Sequence, residues 1–468
     1  MRNRWNQLKD RVKSYFTTDV LSFQKLLNIL LPIFWEQAFL AVLAIAYIWL
    51  MSLEGEGAMS VVGMMTVVNK IFTSACLGLV TGGTVMVAQN IGAGRKNDGW
   101  HSMLQAMGLA VVITALLGGC LIGFREPIVG YLLDGADGEI VSGSMLYFSG
   151  FCLSFPCFAL YQSFAGGMRG WGKTKIAWRL TLFVNCAEFA LTILLVVSMR
   201  LGVMGVTLSM VLSRLAGAVY AGVLLCRERR RQGFALLPYL RVKPAILRGI
   251  LIVAIPLALE QFFFNSGKAV SQRFIAGYGT AHMAANGVVN AIFDLFNLPQ
   301  IAFRESLVTV VGLCIGAGRP DLAKAYIYKF LRAIRKLLII LLPLTIFFSA
   351  ILVWHYKLSD ESNRLTFLCL TLIFILGPLL LAGSFAIPAG LRAGGDAAFV
   401  SVSALCCMWG VRVTLSYLFC VIFPLGVLGI NLAMVVEWFF RGILFRIRLR
   451  GELWHSHKLL TGSPPRTP

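Results

Sequence analysis

The segment NIGAGRKND at Asn90–Asp98 returns as CIGAGRPDL at Cys314–Leu322, which sets Gly92 and Gly316 224 residues apart. The same offset carries Pro32 onto Pro256, Glu36 onto Glu260, Gln37 onto Gln261 and Gly55 onto Gly279. It also carries Gly202 and Gly205 onto Gly426 and Gly429. Matches at one constant spacing mark an internal duplication, here of a unit of roughly 200 residues. No other feature constrains the fold as much, because whatever one copy folds into the other must fold into as well.

Each copy is suited to lipid. With 58% hydrophobic and 13% charged residues the chain is not an ordinary soluble protein. A bilayer offers no hydrogen-bond partners, so a chain crosses it only as helices or as a closed barrel. Apolar runs of about 20 residues, rather than ten-residue alternation, select helices. Spans are predicted at 26–52, 58–88, 100–123, 140–165, 176–199, 203–226, 249–276, 281–313, 327–354, 365–390, 397–422 and 427–449. Six fall in each copy, which predicts an all-α membrane protein of twelve transmembrane helices in two six-helix repeats around a central cavity.

Lys and Arg divide by loop, as the positive-inside rule requires. One alternating set holds Arg95 and Lys96; Arg169, Lys173, Lys175 and Arg179; the run from Arg227 to Arg248; then Arg319, Lys324 and Arg392. The opposite set holds Arg125, Arg200, Lys357 and Arg364 beside acids that include Glu54, Glu56, Asp134 and Asp137. Both termini are therefore expected in the cytoplasm of a multi-pass plasma (inner) membrane protein. An even number of spans per copy gives parallel repeats related by a pseudo-twofold along the membrane normal. The organisation expected is a basic amphipathic segment at 1–24 lying on the anionic leaflet, lobes at 25–226 and 249–450, a linker at 227–248 and a disordered tail at 451–468. The net charge of +21 follows from this topology and points to no nucleic-acid partner; RERRRQ in the linker reads as an anchor beside anionic lipid. The eleven cysteines lie mostly in apolar runs and read as core residues, not a disulfide frame. No signal peptide is read at the start, and a monomer is expected.

The paired motifs read as structural. Gly92 and Gly94, like Gly316 and Gly318, end long helices where glycine permits positive φ and close backbone approach. Arg95 and Arg319 can then reach lipid phosphate or the first turn of the next element. GMRGWGKT at Gly167–Thr174 fits the expression GxxxxGK[ST], but a P-loop needs a strand before it and a soluble helix after it. A membrane helix precedes it here, and the second copy has GLRAGGDA at Gly390–Ala397 instead. Arg169 and Arg392 are therefore read as loop anchors. No HExxH occurs, and no Ser, His and acid grouping suggests an enzyme; neither a metal nor a cofactor is expected.

Charges inside the spans carry the functional reading. Each costs about 2.5–3.5 kcal/mol on insertion scales, so it faces a wet cavity or a partner. Glu36 lies eleven residues past Lys25 and Glu260 twelve past Arg248, roughly 16–18 Å along each helix, near the middle of a layer about 30 Å thick. Carboxyl groups so placed are suited to exchange a proton or bind Na⁺, and they are the candidate coupling residues. Offset mates of opposite charge, Lys70 with Asp294 and Glu188 with Arg412, would meet across the two lobes in one access state; the alternative pairs each charge within its own lobe, for example Glu36 with Lys70. Arg304 is a further cavity candidate, and Arg441, near a span end, reads as a snorkelling anchor.

Taken together, the two six-helix halves, QNIGAGR and CIGAGR, MRGWGKT and LRAGGDA, WGVR at Trp409–Arg412, and LGVMG with LGVLG resemble the multidrug and toxic compound extrusion (MATE) family of bacterial type, over about residues 25–450. The resemblance implies a multidrug efflux antiporter that exports amphipathic, often cationic, organic compounds in exchange for H⁺ or Na⁺ by rocking two lobes. Many members carry an acid near the end of the first helix, before a G-x-x-A-L-A-A-V-G pattern. Anchoring that pattern on Gly55–Gly63 puts Tyr47 at the acid's place and leaves Glu36 as its substitute. A lipid or lipid-linked oligosaccharide flippase of the same superfamily is the alternative, and a membrane-embedded enzyme a more distant one.

Overall fold

The computed structural model describes residues 13–52, 56–132, 138–233, 241–355, 359–455 and 459. Within them lie twelve helices long and apolar enough to cross a membrane. They are α1 (Phe23–Ser52), α2 (Glu56–Gly92), α3 (Lys96–Gly123), α4 (Gly138–Gly170), α5 (Thr174–Ser198), α6 (Gly202–Gln232), α7 (Pro244–Ala276), α8 (Thr280–Gly316), α9 (Pro320–His355), α10 (Asp360–Ala393), α11 (Ala397–Ile422) and α12 (Gly426–Arg450). A short helix, Arg125–Leu132, follows α3. The described residues hold no strand.

Every predicted span lies on one of these helices, and the ends differ where polar residues continue a helix beyond its apolar run. The first turn of α10, with Asp360 and Glu361, is one case: it is capped by Ser359, whose Oγ accepts the Ser362 N–H at 3.3 Å. The basic run RERRRQ is another, since it forms the last turns of α6 before Gly233 at φ 70°. The tail also differs from expectation. Leu453–His455 makes a helical turn with Trp454 buried, while residues 456–458 and 460–468 lie outside the described residues, as do residues 1–12 of the N-terminal segment.

Four turns at one end of the repeats share a single chemistry. Gly94 and Gly318 take φ values of 74° and 70°, and Gly172 and Gly395 values of 76° and 104°. The N–H of each glycine bonds back three residues and the next N–H five, as in Arg95 to Asn90 (2.9 Å) and Arg319 to Cys314 (3.0 Å). This pattern satisfies helix-end carbonyls and needs a residue that tolerates left-handed φ. The turn glycine is thus the second of each IGAG, while Gly92 and Gly316 close the helices themselves.

The turns also show where the duplication shifts register. Gly172 and Gly395 lie 223 residues apart, whereas Gly202 and Gly426 are again 224 apart. α11 therefore holds one residue more than α5. Both helices end in a π-helical stretch, Ile193–Ser198 and Leu418–Ile422, but α11 has a second, Cys407–Val413. A π-turn is how a helix absorbs a single inserted residue, and such turns favour functional sites.

Contacts divide the chain into two units, residues 31–258 and residues 259–459 together with 13–30. These boundaries depart from the expected lobes: the first fifteen residues of α7 belong with the first repeat and the first eight of α1 with the second. In the first unit α7 packs closely on α2, because a Cβ on Gly78 would stand 2.8 Å from Ala258 N and one on Gly82 2.7 Å from Ile250 O. Gln105 Nε2 donates to Arg241 O at 3.1 Å, and Lys243 Nζ lies 2.9 Å from Asp98 Oδ1. In the second unit the Thr18 and Tyr326 hydroxyls share a 2.9 Å hydrogen bond, and Asp19 lies 3.6 Å from Arg319.

Candidate functional site

α1 and α7 each carry a buried carboxylate held by an arginine from the end of the fourth helix of the same repeat. Arg169 Nη2 donates to Glu36 Oε1 at 2.5 Å. Arg392 Nη2 donates to both Glu260 oxygens, at 2.5 and 2.7 Å, and Ser401 Oγ on α11 adds a 2.8 Å bond to Oε2. Both glutamates are only 3% exposed. Pairing removes most of the cost of a lone charge in this setting, since breaking such a pair costs about 3–5 kcal/mol.

The two sites differ by one donor. Glu260 has both oxygens bonded, whereas Glu36 Oε2 is buried with no hydrogen-bond partner. In the register of the turns, Ser401 corresponds to Trp178, whose Nε1 is also buried without a partner. The first copy therefore lacks the hydroxyl that completes the second.

These contacts correct two expectations. Arg169 and Arg392, read as loop anchors, are the partners of the coupling candidates. Glu36 accordingly pairs with Arg169 and not with Lys70. Arg169 occupies the penultimate position of α4, so Glu36 lies within one arginine side chain of that helix's end.

Opposite charges also lie near one another on the fifth and sixth helices of each repeat, with the signs exchanged. In the first, Arg214 of α6 donates to Ser154 Oγ at 3.0 Å, lies over the Phe151 and Phe158 rings and sits within electrostatic reach of Glu188 on α5. In the second the arginine is on α11 and the acid on α12: Arg412 Nη1 stands 3.9 Å from Glu437 Oε2, and Arg441 Nη1 donates to Oε1 at 2.8 Å. Glu188 and Arg412 thus each have an opposite charge inside their own unit, which is the local alternative left open above. Arg441 is no snorkelling anchor, being 3% exposed.

The exchange of signs recurs at the turns. Lys173 bonds Glu228 of α6, whereas Asp396 bonds Arg448 of α12 at 2.6 Å. Arg319 grips Asp321, in the first turn of α9, through two bonds of 3.0 and 3.1 Å. Among the other candidates, Lys70 and Asp294 are each exposed within their own unit. Arg304 donates to its neighbour Glu305 at 3.1 Å. Tyr47 packs edge-on against Phe189, at 5.4 Å between centroids, with its hydroxyl buried and unpartnered.

Twelve apolar helices in a duplicated chain, with paired charges buried in both copies, define a multi-pass membrane transporter of the two-repeat class. The chain belongs to the MatE family: the family model matches residues 32–218 and 256–418, two segments that start 224 residues apart as the duplication requires. It is 24% identical over 429 residues to the uncharacterized transporter YisQ of Bacillus subtilis, covering 90% of this chain and 93% of the relative. It is 24% identical over 421 residues to the probable multidrug resistance protein NorM of Thermotoga maritima, covering 86% and 87%. Two solved structures show the same fold. A MOP superfamily transporter from Pyrococcus furiosus aligns with TM-score 0.79 at 17% identity over 91% of this chain and 95% of its own. A variant of the Vibrio cholerae MATE transporter VcmN aligns with TM-score 0.81 at 16% identity over 92% and 98%.

Proposed function

We propose that the protein exports amphipathic organic compounds, cationic ones among them, in exchange for H⁺ or Na⁺ by alternating access between its lobes. In this reading it works as a monomer in the plasma membrane with both termini in the cytoplasm. Relatives named for multidrug resistance support the substrate class. The observation that carries the coupling assignment is the unpartnered Oε2 of Glu36. An incoming ion can engage that oxygen first and then compete with Arg169 for the other, so that ion binding loosens the contact between α1 and α4. At Glu260 the ion would have to displace Arg392 and Ser401 together, which suits that site to a smaller or later share of the coupling. Lys70 with Asp294 is the pair proposed to close between the lobes in one access state; Arg304 and Tyr47 remain cavity candidates beside Glu188 and Arg412.

The test is uptake of a cationic dye into inverted vesicles under an imposed H⁺ or Na⁺ gradient. Glu36→Gln is expected to lower gradient-driven uptake by about tenfold or more, the effect of losing roughly 1.4 kcal/mol of ion binding, and Glu260→Gln by less. Wild-type uptake from both variants would remove the assignment. A second reading, movement of a lipid or lipid-linked saccharide with an anionic headgroup, is favoured by one observation: Lys70, a cation inside a span, is exposed. Vesicles that flip a labelled anionic lipid but move no dye would select it.

A further inference from the structure

The charge on the inner faces of α11 and α12 does not balance. Glu437 has Arg441 at 2.8 Å and Arg412 at 3.9 Å, and all three side chains are nine-tenths buried or more. One carboxylate against two guanidiniums leaves a surplus of +1, which arginine cannot shed by losing a proton. The Phe264, Phe385 and Phe445 rings around Arg441, at 5.5, 5.0 and 5.8 Å, offer cation–π attraction but no counter-charge. Lys268 of α7 lies over the same Phe264 ring at 5.2 Å and is itself a cation.

Two more observations fall on the same residues. Arg412 Nε, Arg441 Nε and Glu437 Oε2 are buried without hydrogen-bond partners, so unspent donors coincide with the unbalanced charge. Arg412 also lies in the π-turn Cys407–Val413, the inserted residue that the first copy lacks. That copy could not build the cluster: Ser213 and Gly217 stand at the positions of Glu437 and Arg441, and a Cβ on Gly217 would fall 2.5 Å from Val184 Cγ2.

We propose that the cluster is a binding site for a small monovalent anion of the halide class, held by Arg412 together with Arg441. A single negative charge neutralises the surplus, while a phosphate dianion would overshoot it. The burial of both arginines admits an ion and excludes a lipid headgroup. A tenth of the Arg412 side chain remains accessible. The site is separate from Glu36 and Glu260 and does not depend on the coupling assigned to them.

The test is thermal unfolding of the purified full-length protein in an uncharged detergent, with sodium chloride or bromide replaced stepwise by sodium gluconate at constant ionic strength. A ligand that binds only the folded state raises the midpoint in a concentration-dependent way, so the midpoint should rise by several degrees with either halide. Arg412→Gln leaves the neutral Glu437–Arg441 pair intact and should abolish the halide dependence. Glu437→Gln raises the surplus to +2 and should lower the halide concentration for half-maximal effect by roughly tenfold, about 1.4 kcal/mol. A flat response in the wild type overturns the site whatever the variants do. So does an undiminished response in Arg412→Gln, or stabilisation by added anionic lipid in gluconate with none by halide.

Discussion

At Glu260 three hydrogen bonds from two residues satisfy a carboxylate that is almost wholly buried, and removing either donor should have a distinct cost. Arg392→Met leaves an uncompensated charge inside the unit, an expected loss of about 3–5 kcal/mol; Arg392→Met combined with Glu260→Leu should recover most of it, because an apolar pair of similar volume tolerates this setting better than half an ion pair. Ser401→Ala removes one of the two donors to Oε2 and should cost only about 1 kcal/mol. Unfolding midpoints of the three variants in detergent check the order, and an Arg392→Met variant as stable as wild type would show that the ion pair contributes nothing. The glutamates were legible in the sequence because a buried acid repeated at the offset of the duplication stands out. Their partners were not. Arg169 and Arg392 lie 133 and 132 residues downstream, at helix ends where topology already demands cations, so nothing local distinguishes an inward arginine from a lipid-facing one.

α1 and α7 change units in mid-helix, between Leu30 and Leu31 and between Ala258 and Leu259. Each change falls within two residues of a helix-interior proline, Pro32 or Pro256, and four residues after the proline comes the coupling candidate, Glu36 or Glu260. An interior proline removes a helix hydrogen bond and clashes with the preceding turn, at a cost of about 3 kcal/mol. A helix that begins in one unit and ends in the other needs such a weak point if carboxylate occupancy is to bend it. Pro32→Ala and Pro256→Ala should therefore raise the unfolding midpoint while slowing dye transport several-fold. Transport at the wild-type rate in both would mean that the prolines are not hinges. The helices themselves were fully legible from apolar length. The second π-turn of α11 was not, because an insertion of one residue leaves hydropathy unchanged; the drift from a 224- to a 223-residue offset, present already between Gly167 and Gly390, shows that a residue is gained but not that a π-turn absorbs it.

The two units trade their leading segments, and the contacts that hold the trade use opposite signs. The segment before α7 presents Lys243 to Asp98, and the segment before α1 presents Asp19 to Arg319. Pairs this exposed contribute at most about 1 kcal/mol each. The larger share comes from packing: Ala254 and Ala258 of α7 lie against Gly82 and Gly78 of α2, and the Tyr326 hydroxyl of α9 donates to the Phe16 carbonyl and shares a hydrogen bond with the Thr18 hydroxyl. If exchange is what completes each unit, neither repeat is a finished body when expressed alone. Cutting the chain between Gly233 and Arg241 leaves an N-terminal fragment without the start of α7 and a C-terminal fragment without residues 13–30. Expressed singly, each should be degraded or aggregate. Expressed together, they should copurify as a one-to-one complex whose unfolding midpoint lies within a few degrees of the intact protein. An N-terminal fragment that purifies alone and unfolds at the midpoint of the whole chain would show that each repeat is self-sufficient and that the exchanged segments serve only as tethers.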